Sequence, residues 1–408
     1  MRRLRLIIYS MNFSPELTGI GKYSGEMAAW LIERGHDVRV ITTPPFYPER
    51  KVAEGYSAFR YRKEHVGESR VYRCPVWVPK RPSGIQRVLH LCSFTLSSFP
   101  VLVHQALSRP DVILVVEPPV MVAPQTLFIG WMTRTRTWLH VQDFEVDAAF
   151  DLNLLPASLK PLALRLERVI MRSFDRVSTL TRNMLERLSA KGVKPARAVL
   201  FPNWVDADEI HPLEGPNALR RELGFQETHV VALYAGSMGE KQGLATLVEV
   251  AKRLQGHPVL RFVFCGQGSG RDALLEATRE LENVAFLPLQ PADRLNELLN
   301  LADIHLLPQR ADAADLMMPS KLTGMLASGR PTVAGAGKDT ALGRIVEGKG
   351  LVVEPENSAA MAEALVRLAA DDRLRAAMGS QARQYAMTEL HKEKILEQLE
   401  TRLQELVR

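Results

Sequence analysis

The sequence predicts an α/β protein of two doubly wound, Rossmann-like domains facing a cleft, and three observations predict it. Short apolar runs alternate with helical patterns almost from end to end, the rhythm of βαβ units and parallel sheets. That rhythm breaks at "PNWVDADEIHPLEGPN" (202–217), which has prolines, glycine and no periodicity, and then restarts. Finally, 408 residues with 46% hydrophobic content are enough for two full cores.

In order, the front half offers the strand "RLRLIIYSM", a helix through "GKYSGEMAAWLIERG", and then the strands "DVRVITT", "DVILVVEPP", "TWLHVQDF", "RVSTLT" and "AVLFPN". These suffice for one sheet, giving a first domain over 1–205. The back half offers "VVALYAG", "RFVFCG", "VAFLPL", "IHLLPQ", "TVAGA" and "LVVEP", with helical patterns such as "LATLVEVAKRL" between them. They give a second domain over 206–384. The charged helical tail, 385–408, is expected to pack across the domains.

Two segments invite a membrane reading. "MRRLRLIIYSMNF" has a basic start, but its apolar run is short and no small-residue cleavage site follows, so it reads as a first strand. "VLHLCSFTLSSFPVLVHQAL" (88–107) has no charge other than histidine, yet serines, a threonine and Pro100 interrupt it, and it reads as a core helix. Cys74, Cys92 and Cys265 show no CxxC or metal-ligand spacing and fit a reduced cytoplasm. The formal charge of +6 is dispersed, with no basic arm, which argues against nucleic acid as a partner.

Ligands of open parallel sheets sit beyond the carboxyl ends of strands, so the loops there hold the candidate site. Gly19 and Gly21 precede the first helix and serve either a turn or a close backbone approach to a ligand. "LHVQDFEVDAAFDL" places His140, Gln142, Asp143, Glu145 and Asp147 at a strand end. Asp143 is the candidate acceptor-side base, or else an Asx turn or helix cap. In the second half, "LYAGSMGEKQG" offers Gly236, Ser237, Gly239, Lys241 and Gly243 as a phosphate cradle. "VFCGQGSGRDALL" has Arg271 where a dinucleotide fingerprint needs glycine, and reads as a turn. "MMPSKLTG" puts Ser320 and Lys321 at a helix start, which is an ordinary helix end or a site that stabilises a departing phosphate. The DxD of "VDADEI" lies in the linker without further oxygen ligands, so no metal is expected.

Taken together these residues resemble the family 4 glycosyltransferases of the GT-B fold, over essentially the whole chain. The resemblance rests on "LIERGHDVRVITT", "PNWVD", "YAGSMG", "VFCGQGSGRDAL" and "HLLPQ…PSKLTGMLASGRPTVA". The stretch from Tyr47 to Arg73 and the "PSKL" variant are most similar to enzymes of exopolysaccharide assembly, colanic acid fucosyltransferases among them. The resemblance implies a retaining, metal-independent transfer of a sugar, fucose from GDP-fucose, with no cofactor. It also implies a donor held by the second domain and a polyprenyl-diphosphate-linked saccharide acceptor held by the first. Two departures stand out. The diphosphate-gripping Arg and Lys of the family are Ser237 and Gln242 here, with Lys241 adjacent. The two family glutamates fall on Leu316 and Gly324, so Asp315 is the candidate stand-in and Lys321 the candidate diphosphate cation.

A polyprenyl acceptor implies a cytoplasmic protein, peripheral on the inner face of the cytoplasmic membrane. Phe59, Tyr61, Trp77 and Ile85 are interleaved with Arg60, Arg62, Lys63, Lys80, Arg81 and Arg87, which suits an interfacial patch or a solvated basic loop. Three other readings remain: a nucleotide-sugar 2-epimerase, which needs no acceptor; a catalytically silent paralogue, which shows no turnover; and a dinucleotide oxidoreductase, which the failed fingerprints disfavour.

Overall fold

A computed structural model describes residues 2–16, 19–80, 84–151, 156–215, 217–239, 242–311 and 318–408. The chain divides into two units, Met1–Pro202 with Lys394–Arg408, and Asn203–Glu393.

The first unit holds strands β1 (Arg5–Ser10), β2 (Asp37–Thr42), β3 (Arg62–Val66), β4 (Ser69–Arg73), β5 (Val112–Glu117), β6 (Arg136–Val141), β7 (Arg176–Thr179) and β8 (Ala198–Leu200). They form one sheet in the order β3-β4-β2-β1-β5-β6-β7-β8, parallel except for the β3/β4 hairpin. Ile8 of β1 pairs with Val40 on one side and Leu114 on the other. Every residue of β5, "VILVVE", is buried, as a central strand covered on both faces requires.

Its helices are α1 (Gly19–Glu33), α2 (Gly84–Ala106), α3 (Ala123–Thr133), α4 (Glu145–Asp151), α5 (Lys160–Ser173) and α6 (Arg182–Ala190). The crossover through α1 steps along the sheet in one direction, while those through α2, α3 and α5 step in the other. Right-handed crossovers therefore put α2, α3 and α5 together on the face opposite α1. In line with this, α2 lies against α3, and α3 against α5.

The expectation of a core helix at 88–107 needs correction. Only one side of α2 is buried, through Phe94, Ser98, Leu102, Gln105 and Ala106. Ile85, Leu89, Leu96, Phe99 and Val103, spaced by three, four or seven, line its exposed side. The β3/β4 hairpin was not foreseen either. "RKEHV" is almost wholly ionisable, and such a strand is stable only at a sheet edge.

The second unit holds α7 (Ala218–Glu222), α8 (Leu244–Arg253), α9 (Arg271–Ala277), α10 (Leu295–Leu301), α11 (Lys321–Ala327), α12 (Ala341–Val346), α13 (Ser358–Ala370) and α14 (Asp372–Glu389). They surround β9 (Val230–Ala235), β10 (Leu260–Cys265), β11 (Val284–Leu287), β12 (Ile304–Leu307), β13 (Thr332–Gly335) and β14 (Gly350–Val353), in the all-parallel order β11-β10-β9-β12-β13-β14. Alternate residues of the strands face opposite cores: Ala232, Tyr234, Phe262 and Phe264 pack with α8 and α13, and Val231, Leu233 and Val263 with α7 and α10. All six strands proposed for the back half are present.

The sequence reading placed the boundary after Val205 and began the tail at 385. In the structure Val205 belongs to the second unit, because its N–H donates to the Leu390 carbonyl (2.8 Å) and its own carbonyl accepts from Lys392 N–H (3.1 Å). Residues 385–389 complete α14, and after a break at Leu390 the last helix, α15 (Lys392–Leu406), joins the first unit. There Leu4 N–H donates to His36 Nδ1 (3.1 Å), which fixes the proton of the neutral ring on Nε2, and Nε2 donates to Glu400 (3.1 Å). Arg34 Nε donates to the other oxygen of Glu400 at 3.2 Å.

Candidate functional site

In the second unit the order of strands reverses beside β9, which neighbours both β10 and β12, and ligands of such sheets gather at that switch. The loop after β9 runs through Gly236, Ser237, Met238 and Gly239. It is held from below by the loop after β10: Met238 N–H donates to the Gln267 carbonyl (2.8 Å), and Gly270 N–H donates to the Met238 carbonyl (2.7 Å). Gly266 has φ +148°, and a Cβ there would lie 1.9 Å from the Gly236 carbonyl oxygen. The second glycine run is thus a turn, as expected, and its glycines let two backbones stack.

Lys321, the first residue of α11, lies over this loop. Its stem is partly exposed, but Nζ is buried and has no hydrogen-bond partner among the described residues. The nitrogen sits 4.0 Å from the centroid of the Tyr234 ring, and a Cβ on Gly236 would stand 3.6 Å from it. Burial lowers the pKa of Lys321 to about 7. Gln309, just beyond β12, also has a buried side-chain oxygen without a partner among the described residues. Ser320 makes no side-chain capping bond, and α11 is only 7 residues long, so the lysine rather than the helix end is the distinctive feature. Gly324 faces inward, where a Cβ would crowd Leu299 Cδ1 at 3.1 Å. Asp315 and Lys241, the other two candidates here, lie outside the described residues.

In the first unit, Gly19 opens α1 with φ +56°, and a Cβ on Gly21 would lie 2.6 Å from Glu16 Cβ. The second glycine is thus accounted for by Glu16, which accepts from the backbone N–H groups of Phe46 and Tyr47 (3.0 Å each) and from Asn12 Nδ2 (2.9 Å). Burial raises the Glu16 pKa, against those three hydrogen bonds. Arg73, also buried, donates to the Thr43 and Ser14 carbonyls and pairs with Glu64, tying the loops after β1 and β2 to the edge hairpin.

Asp143 lies between β6 and α4, within electrostatic reach of Tyr47, Glu117 and Glu145. Glu145 accepts from Val120 N–H at 2.8 Å, and burial raises its pKa to about 7. Glu117, at the end of β5, is wholly buried with neither carboxylate oxygen hydrogen-bonded among the described residues, and burial followed by repulsion from Glu167 and Glu145 raises its pKa well above the usual range. His140, in β6, has its Nδ1 2.9 Å from Ser178 Oγ, and burial lowers its pKa to about 3. Asp147 pairs with Lys191 at 2.9 Å. Sequence reasoning missed Glu117, because "VVEPP" reads as a strand running into a turn, and nothing in it shows that the carboxylate ends up buried.

The DxD of the linker is an engaged turn. Asp206 Oδ1 accepts from the N–H groups of Asp208 (3.2 Å) and Glu209 (3.3 Å), and Oδ2 from Lys392 Nζ (3.3 Å). Burial alone would raise its pKa, and those bonds outweigh it. Among the described residues no three His, Cys, Asp or Glu side chains are grouped to hold a metal.

Comparison with known proteins fits both units. Residues 18–204 match a glycosyl transferase 4-like domain, and residues 217–385 match the glycosyl transferases group 1. The chain is 41% identical over 406 residues to a protein of Escherichia coli (strain K12) named as a colanic acid biosynthesis glycosyl transferase, WcaI, covering 97% of this chain and 98% of the relative. Among solved structures, sucrose-phosphate synthase from Thermosynechococcus elongatus superposes with a TM-score of 0.74 at 17% identity, over 98% of this chain and 99% of that one. HepE from Anabaena, in complex with UDP, superposes with a TM-score of 0.71 at 15% identity, over 98% and 100%. With a family domain matched in each unit and a relative aligned along nearly its whole length, this chain belongs to the glycosyltransferases, with a family 4-like N-terminal domain, a group 1 C-terminal domain and the GT-B fold.

Proposed function

We propose that this glycosyltransferase moves fucose from GDP-fucose, with retention and without a metal, onto a polyprenyl-diphosphate-linked saccharide of colanic acid or a related exopolysaccharide, as a peripheral protein on the inner face of the cytoplasmic membrane. The observation that carries the reading is Lys321. A buried amine with no hydrogen-bond partner among the described residues, beside a glycine loop at a sheet's switch point, is a cost to the fold that an anionic ligand removes. The relative named for colanic acid biosynthesis supports the pathway class, and the bound UDP of HepE supports a nucleotide donor.

In this reading the bond between the anomeric carbon and the diphosphate oxygen breaks while the acceptor hydroxyl oxygen bonds to the same carbon. Negative charge grows on the departing phosphate. Lys321 meets that charge without reorganising, because the Tyr234 ring already fixes its nitrogen. The Gly236 and Met238 N–H groups are spent on the Cys265 and Gln267 carbonyls, so Gly236 serves by close backbone approach, and Ser237, Ser320 and Lys241 are the further candidate donors. Asp143 orients the acceptor hydroxyl and takes up its proton, with Asp315 as the candidate partner of the donor sugar or ribose.

The test is thermal stabilisation by GDP, UDP, ADP and NAD, followed by transfer from the matching nucleotide sugar. A ligand at about 100 times its dissociation constant adds ~2.7 kcal/mol, a clear shift. GDP alone should stabilise. Stabilisation by UDP alone would overturn the donor assignment, and none by any nucleotide would overturn the transferase reading.

A further inference from the structure

The exposed apolar surface of this protein is unevenly spread. Among the described residues, eighteen of the twenty-three large hydrophobic side chains that stand exposed lie in the first unit. Most are on α2, α3 and α5, which share one face of the sheet. Beside the outer stripe of α2, α3 presents Phe128 and Trp131, the latter 78% exposed. On α5, Leu162, Leu166 and Val169 form an outward stripe, with Arg165, Arg168 and Arg172 exposed alongside it. Single exposed apolar residues are ordinary, whereas a face built from three adjacent helices marks an interaction surface.

Charge identifies what it meets. α2 and α3 contain no carboxylate, and the one acid of α5, Glu167, is buried and bonded to Lys191. Every exposed charge on these three helices is therefore basic. No helix of the described residues is long and apolar enough to cross a membrane, so the stripes suit helices lying in an interface. A second copy docked symmetrically would set the arginines of α5 against their own kind.

We infer that the α2–α3–α5 face is seated on an anionic lipid bilayer, with Leu96, Trp131 and Leu166 entering the acyl boundary and Arg165, Arg168 and Arg172 meeting the headgroups. For its purpose this rests on the lipid-linked acceptor proposed above; its geometry is independent of it. Tyr61 borders the same face, donating its hydroxyl to the Ser97 carbonyl of α2 (2.8 Å). Arg81 lies outside the described residues.

The test is flotation of the full chain with vesicles of phosphatidylglycerol and phosphatidylethanolamine, against phosphatidylcholine vesicles. Native protein should float with the anionic vesicles and weakly with the neutral ones. The triple variant Leu96→Gln, Trp131→Gln, Leu166→Gln should bind about tenfold less or weaker, and Arg165→Glu with Arg168→Glu should lose the preference for anionic lipid. Equal binding by the triple variant, or no binding by native protein, overturns the proposal. So does a native dimer in sedimentation that the triple variant abolishes, which would name a second copy as the occupant. Vesicle binding supports the surface even where no transfer to a saccharide is detected, so the two readings fail separately.

Discussion

Lys321 Nζ lies 4.0 Å from the centroid of the Tyr234 ring and has no hydrogen-bond partner among the described residues. The ring is itself anchored, since its hydroxyl donates to the Ser237 carbonyl in the glycine loop. A ring face attracts a desolvated cation by about 2 kcal/mol, which holds the amine in place without neutralising it. The nitrogen is therefore positioned and still available to an anion.

Replacing Lys321 by alanine should lower kcat by ~10²-fold or more, the usual loss when one stabiliser of developing charge is removed. Stability should hold or rise, because an unpaired buried amine is lost with it. Steady-state kinetics and a thermal melt check both. Turnover within about twofold of native would remove the diphosphate role.

Nucleoside diphosphate affinity should depend on pH through the same residue. Burial lowers Lys321 to about 7, and a bound diphosphate would raise it again. Below that value the amine is already charged and affinity is flat. Above it, binding must take up a proton and affinity should fall, by up to about tenfold per pH unit. Titration calorimetry from pH 6 to 9 should show the decline in native protein and none in Lys321→Ala.

Gly266→Ala should cripple the second unit and displace the Gly236 loop beside Lys321. The added methyl would meet the Gly236 carbonyl at 1.9 Å, and φ +148° is strained for alanine. Destabilisation of ~3 kcal/mol or more, with weaker nucleotide binding, is the expected outcome in denaturant melts.

Glu145 should give the first unit a falling stability profile at acid pH. Its folded pKa, about 7, lies above the ordinary 4.5, so between those values the folded state holds a proton that the unfolded state has released. Stability is therefore lost as pH rises from about 4.5 to 7 and then levels off. Glu145→Gln should flatten that slope in melts taken across the range. Lys321 contributes the opposite sign in a separate window, from about 7 up to its ordinary 10.5, where stability rises with pH.

The architecture was legible because buried parallel strands are near-continuous apolar runs: "VILVV", "VVALYA" and "RFVFC" can hardly be anything else. The charged hairpin at 62–73 was not, since an edge strand needs no apolar pattern. The apolar content of 88–107 was plain, but its burial was misjudged, because composition does not say which side of a helix faces a sheet. At the site, Lys321 was visible from its proline, hydroxyl and helix start, whereas the Tyr234 ring beneath it was hidden inside a strand pattern. Glu117 and Glu145 acquire their character from burial by distant segments, which no local spacing records.

The return of α15 to the first unit, sealed by Glu400 on His36 and Arg34, orders events during synthesis. The first unit is interrupted by the whole of the second, so a growing chain can close the inner sheet of 203–393 while the outer one still lacks its final helix. Until α15 leaves the ribosome, His36 and Arg34 lack their bonds to Glu400. Of the two units, the one begun first is thus completed second.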